Sequence, residues 1–216
     1  MKIKDTRFEK SATRPAHYPT WDVHEVAFAG RSNVGKSSLL NTLIERKGLV
    51  KVSRKPGHTR LLNFFHATLG DDRGIGLVDL PGYGFARVPP EEQAQWQKMI
   101  ETFLRTRQQL RGLVLVMDVR RGMTDMDTQL LFSLGHFGVQ PICVFTKADK
   151  LTRNQQWARQ RELAKELGFP LENVIIFSSL TGLGRDALWD RIANIVLPAR
   201  AEDVPELEAV NDEAEQ

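Results

Sequence analysis

Eight consecutive residues, Gly30-Arg31-Ser32-Asn33-Val34-Gly35-Lys36-Ser37, carry the spacing G-x-x-x-x-G-K-S/T. Glycines at those positions let a chain curl so that successive backbone N–H groups surround phosphate oxygens. Lys36 is then placed to reach the β- and γ-phosphates of a nucleotide, and the Ser37 hydroxyl to ligate Mg²⁺. The setting distinguishes this run from a chance glycine-rich turn. Residues 25–29 form an apolar, strand-like run, and Leu39, Leu40, Leu43 and Ile44 recur on one helical face. A helix there adds its positive N-terminal end to the phosphate site.

Four further segments have the chemistry to complete such a site. Asp79-Leu80-Pro81-Gly82 closes an apolar run 43 residues after Lys36. Asp79 can hold Mg²⁺ through water, and the Gly82 amide can approach a γ-phosphate where a side chain would obstruct. Thr146-Lys147-Ala148-Asp149 closes a later run. It is similar to the guanine-reading N-K-x-D motif, with Thr146 in place of Asn. The Asp149 carboxylate can accept two bonds from the guanine N1–H and 2-amino group, Lys147 can lay its stem over the base, and Ala148 joins them. Ser178-Ser179-Leu180 follows the next run and fits a loop whose amide meets guanine O6. Thr59, in the polar stretch 45–60, stands where a switch threonine would ligate Mg²⁺ and sense the γ-phosphate. The metal set is therefore Ser37, Thr59 and Asp79.

Alternation of elements must position these segments. Strand-like runs occur at residues 25–29, 61–69, 75–80, 113–117, 142–145 and 174–177, with helical periodicity near 39–44, 96–104, 126–137, 152–167 and 188–196. The turn Asp71-Asp72-Arg73-Gly74 makes a hairpin of the second and third runs. The pattern predicts an α/β fold of three layers, a mixed but mostly parallel six-stranded sheet with helices on both faces. Pro15 and Pro19 mark residues 1–22 as an irregular arm. Residues 23–199 form the nucleotide-binding domain, and 200–216 an acidic, disordered tail.

Of 216 residues, 41% are hydrophobic and 26% charged, which excludes a disordered, collagen-like or disulfide-built chain. The apolar runs are too short for a membrane span, and a lone cysteine, Cys143, points to the cytoplasm. Residues 201–216 hold seven acids and no Lys or Arg, so residues 1–200 carry 30 bases against 20 acids, formally +10. A basic body points to an anionic partner, nucleic acid first.

The match extends beyond these motifs. Residues 25–40 read EVAFAGRSNVGKSSLL, 56–65 PGHTRLLNFF, 78–88 VDLPGYGFARV and 118–127 DVRRGMTDMD, followed by TKADKL and FSSL. Over about residues 8–198 the chain resembles the EngB (YihA/YsxC) family of bacterial ribosome-biogenesis GTP-binding proteins, within the TRAFAC class of P-loop GTPases. The strings GRSNVGKSSLLN and DLPGYG are specific to it. The resemblance implies a single Ras-like G domain binding GTP or GDP with Mg²⁺, a monomer acting in assembly of the large ribosomal subunit and needed for normal cell division and septation. By position, nucleotide would contact Gly30 to Ser37, then Gly57, His58, Thr59, Arg60 and Leu61, then Asp79 to Gly82, Thr146 to Asp149 and Ser178 to Leu180. His58 and Arg60 stand where Lys and Gln are common in the family, and Phe85 where Tyr is.

Tyr83 occupies the position where Ras-like proteins place a water-orienting Gln, so intrinsic hydrolysis is expected to be slow. The catalytic set is Lys36, Thr59 and Asn33. Asn33 could hold K⁺ against the phosphates, as in some GTPases without that Gln, or only brace its loop. Asp118 and Arg120-Arg121 are either catalytic or a structural cap beside a basic surface. His58, Arg60 and Arg87, with Tyr83 and Phe85 between them, offer charges and rings to RNA. The alternatives are a small-molecule kinase, for which the chain has no evident lid, a membrane- or septum-associated structural protein, and a GTPase acting directly on a cell-division protein without ribosome binding.

Overall fold

The computed structural model describes residues 3–46, 48–50, 61–84 and 89–197. Strand β2 (Glu25–Gly30) is buried along its whole length, because helices cover both of its faces. It is flanked in parallel by β4 (Gly74–Asp79) and β5 (Leu110–Asp118). Beyond β5 lie β6 (Gln140–Thr146) and β7 (Val174–Ile176), also parallel. On the other side β3 (Leu62–Leu69) pairs antiparallel with β4, as a hairpin requires.

Side chains of the central strands alternate between two cores. Ala27 and Ala29 of β2, with Leu113, Leu115 and Met117 of β5, face one side. There they meet Ile100, Phe103 and Leu104 of α2 (Pro90–Thr106), Leu130 and Leu134 of α3 (Asp125–His136), and Leu163 of α4 (Arg153–Leu167). Val26, Phe28, Val114 and Val116 face the other side. That core takes in Leu39, Leu40 and Leu43 of α1 (Lys36–Leu43), and Leu188, Trp189 and Ile192 of α5 (Arg185–Val196). The result is the expected three-layer α/β arrangement. Among the described residues no helix is long and apolar enough to cross a membrane.

Among the described residues the sheet has seven strands rather than six, because β1 (Ile3–Ala12) joins its edge, and the order is β1-β3-β4-β2-β5-β6-β7. The added strand lies within the stretch expected to be an irregular arm. It pairs antiparallel with β3, with irregularities near Asp5 and Lys10. Of its ten residues only Thr6 and Ala12 are buried, so no apolar alternation announces it. An edge strand needs only backbone partners on one side, and charges along it discourage further pairing. Phe8 meets the ring of Phe65, Lys4 pairs with Asp72 and Asp5 with Arg46. Farther along, Arg107 clasps the buried Glu25 and donates to the Pro19 carbonyl (2.9 Å), securing the connection into β2.

Helix ends follow local chemistry. Thr152 and Gln155 form a capping box before α4, and Gly168, at φ 64°, ends it. Pro90 is the first residue of α2, where its missing N–H costs nothing.

Candidate nucleotide-binding site

Strands β2, β4, β5 and β6 run in parallel, so their carboxyl ends share one edge of the sheet. The chain leaves β2 toward one side for β3 and β4 and returns to the other for β5, making a switch point where such folds bind ligands. The loop 31–35 follows β2 there and feeds α1. A Cβ on Gly30 would sit 2.5 Å from the Val116 carbonyl, so β2 can approach β5 only with glycine at that position. Gly35, at φ 103°, is the N-cap of α1 and offers no side-chain cap. The first amides of a helix have no partner four residues back, so those of α1 face the loop as anion donors. Ser37 lies on this first turn.

Lys36 is buried and its Nζ pairs with Asp79 Oδ1 at the end of β4. The two motifs thus converge across 43 residues of sequence. Leu80 and Pro81 are buried behind them, and Gly82 packs against Ser32. The Ser32 amide donates to the Tyr83 carbonyl (3.0 Å), and Arg31 forms a parallel bridge with Tyr83.

The TKAD segment at the end of β6 is tied to the phosphate loop. Thr146 Oγ1 lies between the carbonyl oxygens of Val34 and Met117 (2.9 Å to the latter), and its single proton can serve either. Lys147 adopts a left-handed conformation, φ 63°. Its Nζ donates to the Asn33 carbonyl (2.9 Å) and pairs with Asp118 Oδ2 (3.0 Å). Lys147 therefore spans from the expected base loop to the expected phosphate loop. Asn33 itself has φ 63° and an exposed side chain.

Asp118, at the end of β5, accepts from the Arg120 amide (3.0 Å) and from two guanidinium nitrogens (2.9 and 2.7 Å). The Arg120 hydrogen bond is the main reason its carboxyl sits well below the ordinary carboxylate range, with Lys147 adding to it. Of the two readings of Asp118, the bracing one fits: its oxygens are taken up by Arg120 and Lys147.

Ala148 is buried, its amide on the Phe177 carbonyl (3.1 Å), which aligns the β6 and β7 loops. Asp149 Oδ1 accepts from Ser178 Oγ (2.9 Å), and this bond is the leading cause that lowers the Asp149 pKa. Ser178 Oγ also accepts from the Leu180 and Thr181 amides (3.2 and 3.3 Å), which fixes the loop that includes Ser179. The Leu180 side chain is exposed. An ionised carboxylate oriented by a buried serine is suited to reading paired N–H donors.

Tyr83 does not present the ring to RNA that the sequence suggested. It is buried, and its hydroxyl donates to Asp127 Oδ1 in α3, while Asp127 Oδ2 caps α3 through Thr124. Burial is the main reason its pKa is raised. The ring packs on Trp96 (5.0 Å between centroids), whose indole N–H donates to the Pro81 carbonyl (3.0 Å). It can neither orient water from the core nor stack on exposed bases. The Tyr83–Asp127 bond and the Lys147–Asp118 pair escaped sequence reading, since neither spacing has a period. Gly57, His58, Thr59, Arg60, Phe85, Arg87 and the acidic tail lie outside the described residues, while Leu61 is exposed at the foot of β3. Among the described residues no cluster of three His, Cys, Asp or Glu side chains could hold a metal.

A family model described as "50S ribosome-binding GTPase" matches residues 25–147. The probable GTP-binding protein EngB of Citrifermentans bemidjiense is 48% identical over 202 residues, which cover 94% of this chain and 92% of that one. The chain belongs to the EngB family of GTP-binding proteins. The probable EngB protein of Desulfatibacillum aliphaticivorans is 49% identical over 197 residues, 90% of this chain and 93% of the relative. A crystal structure of a probable EngB protein covers 79% of this chain and 97% of its own, with 26% identity and a TM-score of 0.58. Aquifex aeolicus Era, bound to GDP and AlF4⁻, shares the fold: TM-score 0.66 over 83% of this chain and 59% of Era, with 23% identity. The EngB-family assignment makes this chain a P-loop GTPase that binds guanine nucleotides.

Proposed function

We propose that the chain is a GTP-controlled switch in assembly of the large ribosomal subunit, through which it serves cell division and septation, and that it hydrolyses GTP slowly with Mg²⁺. The observation that carries the nucleotide part is the convergence of residues 30–37, 79–82, 146–149 and 178–180 on one sheet edge, with Lys147 bridging the phosphate and base loops. Asp149 selects guanine. Residues 30–37 and the amides of α1 hold the phosphates, and Lys36 exchanges Asp79 for phosphate oxygens when nucleotide binds.

The donors suit Mg²⁺, a hard cation that takes oxygen ligands. Ser37 supplies a hydroxyl on the first turn of α1, and Asp79 a carboxylate already beside the neighbouring Lys36. Thr59 completes the set. Held by these oxygens, Mg²⁺ would neutralise phosphate charge. With Tyr83 committed to the core, the described loop supplies no orienting amide, which supports slow hydrolysis. Asn33 is the residue placed to hold K⁺. Hydrolysis should then be faster in KCl than in NaCl at equal ionic strength, and equal rates would remove that role.

The ribosomal part rests on the ribosome-binding description of the matched family and on the +10 charge of residues 1–200. The protein loaded with a non-hydrolysable GTP analogue should pellet with large subunits or their precursors at low salt, and less with GDP. Absence of pelleting in every state would leave a GTPase with another target.

A further inference from the structure

On α4, which follows the TKAD segment, Arg153, Trp157, Arg161 and Lys165 follow one another at intervals of four, and all four are exposed. At 1.5 Å per residue the stripe is about 18 Å long. Trp157 leaves 56% of its surface exposed, and the Arg161 guanidinium lies 5.9 Å from its ring centroid. The acids on this helix are engaged elsewhere: Glu162 and Glu166 both pair with Arg159 (2.7 and 3.4 Å). No carboxylate among the described residues pairs with Arg153, Arg161 or Lys165. Arg153 also stands at the first position of α4, with no acid in the first turn, where the helix end is itself positive. Local helix stability favours the opposite charge there.

We propose that this face of α4 is a binding surface for single-stranded RNA, with one base stacked on Trp157 and phosphates on Arg153, Arg161 and Lys165. The choice of RNA rests on the ribosomal reading above; the surface itself rests on α4. An acidic protein would be served by the cations alone. A flat indole with a guanidinium against it offers what an unstacked base needs, a ring to lie on beside a charge for its phosphate. The bland alternative, that the Trp157–Arg161 contact only steadies the helix, accounts neither for Arg153 nor for Lys165.

The test uses the full chain loaded with GDP and a fluorescein-labelled 16-nucleotide single-stranded RNA, read by anisotropy. Trp157→Ala should weaken binding by about tenfold or more, and Trp157→Phe should recover most of the loss, because base stacking needs a ring. Arg153→Glu with Arg161→Glu should weaken binding and flatten its salt dependence by about 1.4 in the log–log slope for two lost phosphate contacts. Unchanged GDP affinity in each variant confirms the fold. Equal RNA binding by Trp157→Ala and the unaltered protein overturns the proposal. So does a 16-residue polyglutamate peptide that binds as tightly as the RNA and is indifferent to Trp157→Ala, which would make the face a site for acidic protein. Loss of RNA binding in Trp157→Ala, beside an unaltered protein that never pellets with large subunits, keeps this surface and removes the ribosomal reading.

Discussion

Asp118 shows how a residue with catalytic looks serves another purpose. Its carboxylate ends β5, is nearly inaccessible, and holds both Arg120 and the Lys147 ammonium that reaches the Asn33 carbonyl. Its folded pKa lies below the value of about 3.9 expected in an unfolded chain. The stabilisation it supplies is therefore complete above pH about 4 and is lost as pH falls through that range. Asp118→Asn should cost about 1–3 kcal/mol at pH 7, and the gap between variant and unaltered protein should shrink below pH 4. Urea unfolding at a series of pH values reads this. A gap that stays constant to pH 3 would show that the charge of Asp118 is not what stabilises the loop. From sequence, Asp118 and Arg120 were legible only as a cap or a catalytic pair. The choice between them depends on Lys147, which is remote in the chain.

Elements were legible where periodicity or punctuation is strong. The Gly30–Ser37 spacing fixes a strand before it and a helix after it, because a phosphate loop must leave one and enter the other. Thr152 and Gly168 bracket α4 by capping chemistry. β1 was not legible, since its order comes from the free edge of β3, and β3 itself lies 50 residues on. The link between the DLPG segment and α3 was hidden for the same reason. Tyr83 joins them through Asp127, whose other oxygen caps α3. Tyr83→Phe strands a buried carboxylate oxygen, so it should lower stability by about 1–3 kcal/mol while leaving GTP hydrolysis within about twofold. Thermal unfolding beside single-turnover hydrolysis separates the two. A rate loss of tenfold at unchanged stability would place the phenol at the phosphates instead.

At the scale of the molecule, a basic body, the fold of a guanine-nucleotide-binding family and a ribosome-binding family description meet in one chain. The nucleotide chemistry was legible because it needs fixed residue types at fixed spacing. The surface expected to meet RNA was not, because exposed charge has no spacing rule and because Tyr83, counted among its rings, is buried in the core. The most direct test links base recognition to partner binding through one substitution. Asp149→Asn replaces the carboxylate proposed to accept from the guanine N1–H and 2-amino group by an amide that can donate to the 2-oxo group of xanthine. Large subunits should be pelleted with this variant in the presence of a non-hydrolysable analogue of GTP and, separately, of xanthosine triphosphate. The expected result is little co-pelleting with the GTP analogue and recovery to the level of the unaltered protein with the xanthosine analogue. Equal co-pelleting with both analogues, or with neither while the xanthosine analogue binds, would contradict a switch in which Asp149 reads the base that commits the protein to the ribosome.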